Sequence, residues 1–151
     1  MTALIDGEGS RTRWEYDAMG RMTKKTYADG SDYEYDYDYE GRLTARTDGK
    51  GQITEYSYDG LGRLTGIDYP TDADVVTVYD DLGRRASVTD AIGTWEWTYD
   101  ENSSRVLTET DPDGNVLTYA YDACGARTDM NLEVDSTVVQ DLDYCQVLAS
   151  V

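Results

Sequence analysis

The chain has 151 residues, 31 acidic and 13 basic side chains and no histidine, for a formal net charge of −18. That balance excludes nucleic acid as a direct ligand, because phosphate needs a basic surface, and the missing His excludes Ser-His, Cys-His and His-ligated metal chemistry. A hydrophobic share of 39% and a mean hydropathy of −0.66 are lean for a compact globule and suit a thin sheet.

From the start of the chain, Met1-Thr2-Ala3-Leu4-Ile5-Asp6 shows no charged region followed by an apolar run, so no secretory leader is read there. Asp6-Gly7-Glu8-Gly9 reads as a turn, which puts Met1 inside a structural unit and leads us to expect a piece of a longer array or a natural short array rather than an independent closed domain. The first full motif is Tyr16-Asp17-Ala18-Met19-Gly20-Arg21, and it returns as Tyr37-Asp38 with Gly41-Arg42, Tyr58-Asp59 with Gly62-Arg63, and Tyr79-Asp80 with Gly83-Arg84. Tyr99-Asp100 and Tyr121-Asp122 continue the series, at spacings of 21, 21, 21, 20 and 22 residues. So regular a period means that small units, each unable to bury an apolar face alone, stack on one another.

Each motif reads as a hairpin turn. Asp opens the turn because its short carboxylate accepts from backbone N–H groups two residues on, and Gly follows where the chain needs positive φ and a bulge. Arg then answers Asp from the opposite strand, a pairing worth about 0.2–1 kcal/mol that sets register more than stability. A second set of turn clusters lies between the motifs, at Asp29-Gly30, Asp48-Gly49-Lys50-Gly51, Asp72-Ala73-Asp74, Asp90-Ala91-Ile92-Gly93 and Asp111-Pro112-Asp113-Gly114-Asn115. Each unit therefore holds two strands of about 5–7 residues, joined into an antiparallel meander.

Counting back by two from each motif Tyr places Trp14, Tyr35, Trp95, Trp97 and Tyr119 on one strand face. The aromatics are 14 Tyr and 3 Trp with no Phe, which suits rings on a partly wet surface with a polar tip reaching water. Such a face is either a cross-strand ladder or a platform that stacks against sugar rings or a partner's side chains.

The pattern of Tyr-Asp, two residues, Gly-Arg, an aliphatic residue and Thr resembles the YD repeat of the Rhs (rearrangement hot spot) family, from about Asp6 to Asp129. The resemblance implies a β-sheet strip wound into part of a hollow shell, as in Rhs toxins, insecticidal toxin complexes and teneurins, and an extracellular or cell-surface location. Some Rhs-type proteins cleave themselves through an Asp-Pro-containing motif. Asp111-Pro112 sits in an ordinary repeat turn and lacks the rest of that motif, so the activity is not carried over.

Two units depart from the pattern. The fifth has Ser103-Ser104 in place of the single Gly, and the sixth, Tyr121-Asp122-Ala123-Cys124-Gly125-Ala126-Arg127, has its Arg displaced by one, so both turns are expected to differ in length or bulge. We read residues 1–129 as six hairpin repeats and 130–151 as a degenerate seventh repeat or cap, with Tyr144 ending its strand. Cys124 and Cys145 lie in adjacent units, either as a disulfide or as two separate thiols. Asp111, Asp113 and Asn115 offer hard oxygen ligands but lack the flanking ligands of a calcium loop, so a plain turn is expected and no metal or cofactor is assigned.

The expected fold is all-β, an antiparallel hairpin array forming a curved or spiralling strip. The expected function is structural, part of a shell or filament without catalysis of its own, with protein partners met through sheet edges or the rest of a larger repeat polypeptide. The alternative is a module that recognises a glycan or a surface protein through its Tyr/Trp face. Neither nucleic acid nor a membrane span is expected. The acidity fits solubility, high-salt adaptation or a lining for basic cargo equally.

Overall fold

Aromatic or Thr residues alternating with charged ones give each short segment one crowded face and one wet face, and Asp/Gly clusters interrupt the chain before any segment grows long. The computed structural model describes residues 2–5, 11–134 and 137–143, and every regular element among them is a β-strand. Asp6–Gly9, Tyr144 and Cys145 lie outside the described residues, and with them the expected opening turn and any pairing of Cys124.

The chain divides into two units, Met1–Asp74 and Val75–Val151. The first holds β1 (Thr2–Ile5), β2 (Arg11–Tyr16), β3 (Met22–Thr26), β4 (Asp32–Tyr37), β5 (Leu43–Thr47), β6 (Ile53–Tyr58) and β7 (Leu64–Asp68). Each strand pairs antiparallel with its neighbour in sequence. The second holds β8 (Val75–Tyr79), β9 (Arg85–Thr89), β10 (Thr94–Tyr99), β11 (Val106–Thr110), β12 (Val116–Tyr121), β13 (Arg127–Val134) and β14 (Thr137–Asp143), paired in the same way. The fold is the all-β antiparallel hairpin array that the repeats imply.

Register shows an asymmetry between the two kinds of hairpin. At the Tyr-Asp turns Glu15 faces Lys24 while Tyr16 faces Met22, which leaves Thr23 as an extra residue; the same slip recurs at Tyr37 with Leu43, Tyr58 with Leu64, Tyr79 with Arg85, Tyr99 with Val106 and Tyr121 with Arg127. The intervening hairpins from β3 to β4, β5 to β6, β9 to β10 and β11 to β12 run without a slip. A bulge increases local twist, so each strand pair is twisted most where its Tyr lies.

Directly opposed residues share a face, and the ladder therefore sorts the side chains. In the first unit Trp14, Lys25 and Tyr33 form one row, and Tyr35, Arg46 and Thr54 the next, on the same face. The other face carries Glu15, Lys24 and Glu34, where the Lys24 ammonium meets Asp32 at 2.8 Å and Glu34 at 3.0 Å. Among the described residues no apolar side chain is fully buried, and Thr54, 4% exposed, is the one buried polar residue. Stability thus rests on half-covered rings: burying half of an aromatic side chain of ~200 Å² contributes about 2.5 kcal/mol.

Candidate functional site

The repeated Asp is the hub of its turn. Oδ1 of Asp17 accepts the backbone N–H groups of Met19 and Arg21, each at 2.9 Å, and Oδ2 accepts Arg21 Nε–H at 2.6 Å. Asp59 and Asp80 make the same three bonds. Asp38 takes the Arg42 backbone N–H at 2.9 Å and its Nε–H at 2.6 Å, and Glu40 also pairs with the Arg42 guanidinium. A short acceptor that collects two or three donors is a charge-assisted clamp. The backbone N–H of Arg21, then its side chain, hold the Asp17 carboxyl below its ordinary value against the cost of desolvation, and Asp59 is lowered first by the backbone N–H of Arg63. Gly20, with φ of 82°, and Gly62, with φ of 81°, complete the turn in a region that other residues rarely enter.

Arg has a second task that the motif alone did not disclose. Arg21 Nη1 donates to the Asp38 carbonyl at 2.9 Å, seventeen residues on, and its guanidinium lies 4.8 Å from the Tyr37 ring centre. The Tyr37 hydroxyl reaches back to the Met22 carbonyl at 2.9 Å. The arrangement repeats with Arg42 over Tyr58 at 4.9 Å and Tyr58 donating to Leu43 at 2.8 Å. In the second unit Arg84 lies over Tyr99 at 4.4 Å, Tyr99 donates to Arg85 at 2.7 Å, Arg105 lies over Tyr121 at 5.6 Å, and Tyr121 donates to Val106 at 2.9 Å. Each of these four Tyr and its predecessor's Arg form a staple between consecutive repeats, a cation over a ring plus a hydroxyl bond to main chain. Desolvation raises the Tyr37 and Tyr58 phenols above their ordinary value, which keeps the donating hydroxyl protonated. The sequence signal was the near-constant separation of fifteen or sixteen residues between each Arg and the next motif Tyr.

The departing units behave differently from one another. In the fifth, Asp100 N–H bonds to the Arg105 carbonyl, so the loop is one residue longer, and Arg105 N–H turns to the Ser103 hydroxyl at 3.3 Å. Arg84 compensates from the repeat before, donating to the carbonyls of both Asp100 and Ser103. The sixth turn corrects the expectation of a changed length. Asp122 N–H bonds to Ala126 carbonyl and Gly125 N–H to Asp122 carbonyl, as in the regular turns, and the displaced Arg127 opens β13 with its guanidinium 5.7 Å from the Tyr119 ring. Regular loop length here comes from the Asp and Gly positions, which are unchanged.

The remaining candidates fall within this frame. Trp14 and Tyr35 share a face of the first unit, and Trp95, Trp97 and Tyr119 share a face of the second, all half-buried in cross-strand rows. Arg85 lies 5.4 Å from the Trp97 ring. The Asp111 carboxylate accepts Asp113 N–H, Asn115 N–H and Asn115 Nδ2–H, so its oxygens are engaged in closing a turn. Cys124 is exposed at its turn.

A family model described as RHS Repeat matches residues 1–32, 37–73 and 103–131. No curated protein matches the chain. Among solved structures, the Tc holotoxin pore of Photorhabdus luminescens is similar at a TM-score of 0.71 and 20% identity, over 93% of this chain and 9% of that one. The complex of TcdB2 with TccC3 lacking its hypervariable C-terminal region is similar at 0.65 and 18% identity, over 87% and 8%. The chain therefore spans about a tenth of the solved chains it resembles, and the likeness is one of fold.

Proposed function

The chain belongs to the RHS repeat family, and from that premise we propose that it is a wall segment of a protein shell or filament, with no catalysis of its own. The single observation that carries the reading is the staple. Arg of one repeat grips the turn and Tyr of the next, again and again, while no apolar side chain among the described residues is fully buried. The motif residues thus serve continuity between units, as an extended wall requires, and a thin sheet gains stability from each neighbour added.

In this reading residues 1–129 are six wall repeats and residues 130–151 a degenerate seventh or a cap, which takes over part-way along β13 and holds β14. The partners are proteins, either further repeats of a larger polypeptide or other copies joined at a sheet edge, where unpaired backbone groups accept another strand. An extracellular place follows from the resemblance, and no helix among the described residues is long and apolar enough to cross a membrane.

Light scattering across a wide concentration range, followed by electron microscopy, tests the proposal. The expected result is concentration-dependent assembly into strips, rings or filaments, or capture of an added array of flanking repeats. A chain that stays monomeric throughout and captures no flanking array overturns it.

A further inference from the structure

In each Tyr-Asp hairpin one residue lies directly opposite the position two before the motif Tyr, and so shares the ring-bearing face. In the first unit it is Lys25 opposite Trp14, Arg46 opposite Tyr35 and Ile67 opposite Tyr56. In the second it is Val88, Met130 and, between Trp97 and Leu117, a carboxylate, Glu109. Glu109 borders an open pocket of about 130 Å³, lined also by Trp95, Asp111, Asn115, Leu117 and Leu132. We propose that this pocket takes the ammonium end of a lysine side chain from a partner protein. It uses none of the staple residues, so it stands or falls apart from the wall reading.

The first unit shows what this ladder position holds when it is charged. Lys25 Nζ lies 4.3 Å from the Tyr27 ring centre and the Arg46 guanidinium 6.0 Å from that of Tyr33, so rings there are matched with a cation. At Glu109 the rings remain and the charge is reversed, so a matching cation has to come from outside. No ion pair or side-chain hydrogen bond among the described residues engages the Glu109 carboxylate. Arg85, by Trp97, and Arg127, by Tyr119, open their strands at the Tyr-Asp end of the face, whereas the pocket lies at the other end, beside the turn closed by Asp111. The lining also selects among cations. Asn115 gives Nδ2–H to Asp111, which leaves its Oδ1, with Glu109, to accept from a head that carries N–H donors; a quaternary ammonium has none. Trp95, Leu117 and Leu132 give the pocket apolar walls, against which a methylene stem packs while its charged end reaches an acceptor, and from which a bare metal ion gains nothing. A volume of 130 Å³, far below the ~300 Å³ lower end of sites for drug-sized ligands, is on the scale of one side chain.

The test titrates the full ¹⁵N-labelled chain with n-butylammonium and, separately, with a blocked Gly-Lys-Gly peptide, reading the Trp95 indole N–H resonance. Ionic strength is held constant, because a chain of net charge −18 attracts every cation. Both probes are expected to move the resonance saturably, with a Kd on the order of 10 mM for butylammonium. Glu109→Gln should weaken both about tenfold. Glu109→Lys supplies from within the charge that Lys25 supplies in the first unit, and should abolish binding while the circular dichroism spectrum stays that of the parent. The proposal is overturned if either probe gives no saturable shift, or if sodium, tetramethylammonium or methylguanidinium moves the resonance as strongly. It is equally overturned if binding is undiminished in Glu109→Gln or persists in Glu109→Lys.

Discussion

The hairpin closed by Asp38 and Arg42 and the one closed by Asp100 and Arg105 differ in which bonds they keep. The first has both a local clamp, Arg42 on Asp38, and an outward grip, Arg42 over Tyr58. The second has exchanged the regular Gly for Ser103-Ser104, and its Arg105 backbone N–H bonds to Ser103 instead of to Asp100. Yet Arg105 still lies over Tyr121, and Tyr121 still bonds to the main chain behind it. Local turn closure is therefore replaceable, whereas the link between repeats persists where the motif is damaged.

Substitutions at the links should break this comparison most visibly. Tyr58→Ala removes a half-buried ring, its cation partner and its hydroxyl bond, and is expected to cost about 2–3 kcal/mol in urea unfolding followed by tryptophan fluorescence. Tyr99→Ala should cost less, because its hydroxyl bond to Arg85 lies exposed whereas that of Tyr58 is partly buried. Equal losses would mean that the two links carry the same weight despite their different exposure.

At the turns the contrast should reverse in kind. Gly62→Ala forces a side chain into φ of 81° and brings its Cβ to 3.3 Å from Arg42 Nη1, at an expected cost of about 1–2 kcal/mol. Ser104→Ala, in the turn that has no such glycine, should stay within ~0.5 kcal/mol. A smaller step separates the hydroxyl variants: Tyr58→Phe is expected to lose about 1 kcal/mol and Tyr99→Phe under half of that.

Acid titration gives the finest discrimination. Asp17 and Asp59 are lowered in the fold, chiefly by backbone N–H bonds from Arg21 and Arg63, and the unfolded carboxyl has the ordinary value of 3.8. The folded form therefore holds its protons less tightly, so this stabilisation is complete above that value and is lost as pH falls through the lower folded one. Asp17→Asn and Asp59→Asn should be less stable than the parent near neutral pH and converge with it in strong acid, measured by circular dichroism. A gap that persists unchanged into strong acid would assign the loss to turn geometry alone.

Much of this was legible in the sequence because the turn chemistry is local. Asp17 binds groups two and four residues away, and Gly20 answers a backbone need at its own position, so a short window contains both causes. The alternation that put Trp14 and Tyr35 on one face is likewise a property of one strand. What did not show was any effect that joins units. Arg21 reads as the partner of Asp17 until the next hairpin folds beside it, and only then does its remaining nitrogen meet Asp38 and Tyr37.

The staple also has a direction. In the four staples described, Arg reaches forward and Tyr reaches back, so the two sides of such a repeat are not interchangeable: one gives a guanidinium, the other a phenol. An array built this way is a vector. Copies or segments can satisfy those groups by joining head to tail, while head-to-head contact sets cation against cation and ring against ring. The order in which repeats emerge during synthesis thus matches the order in which each can be locked to the one before it.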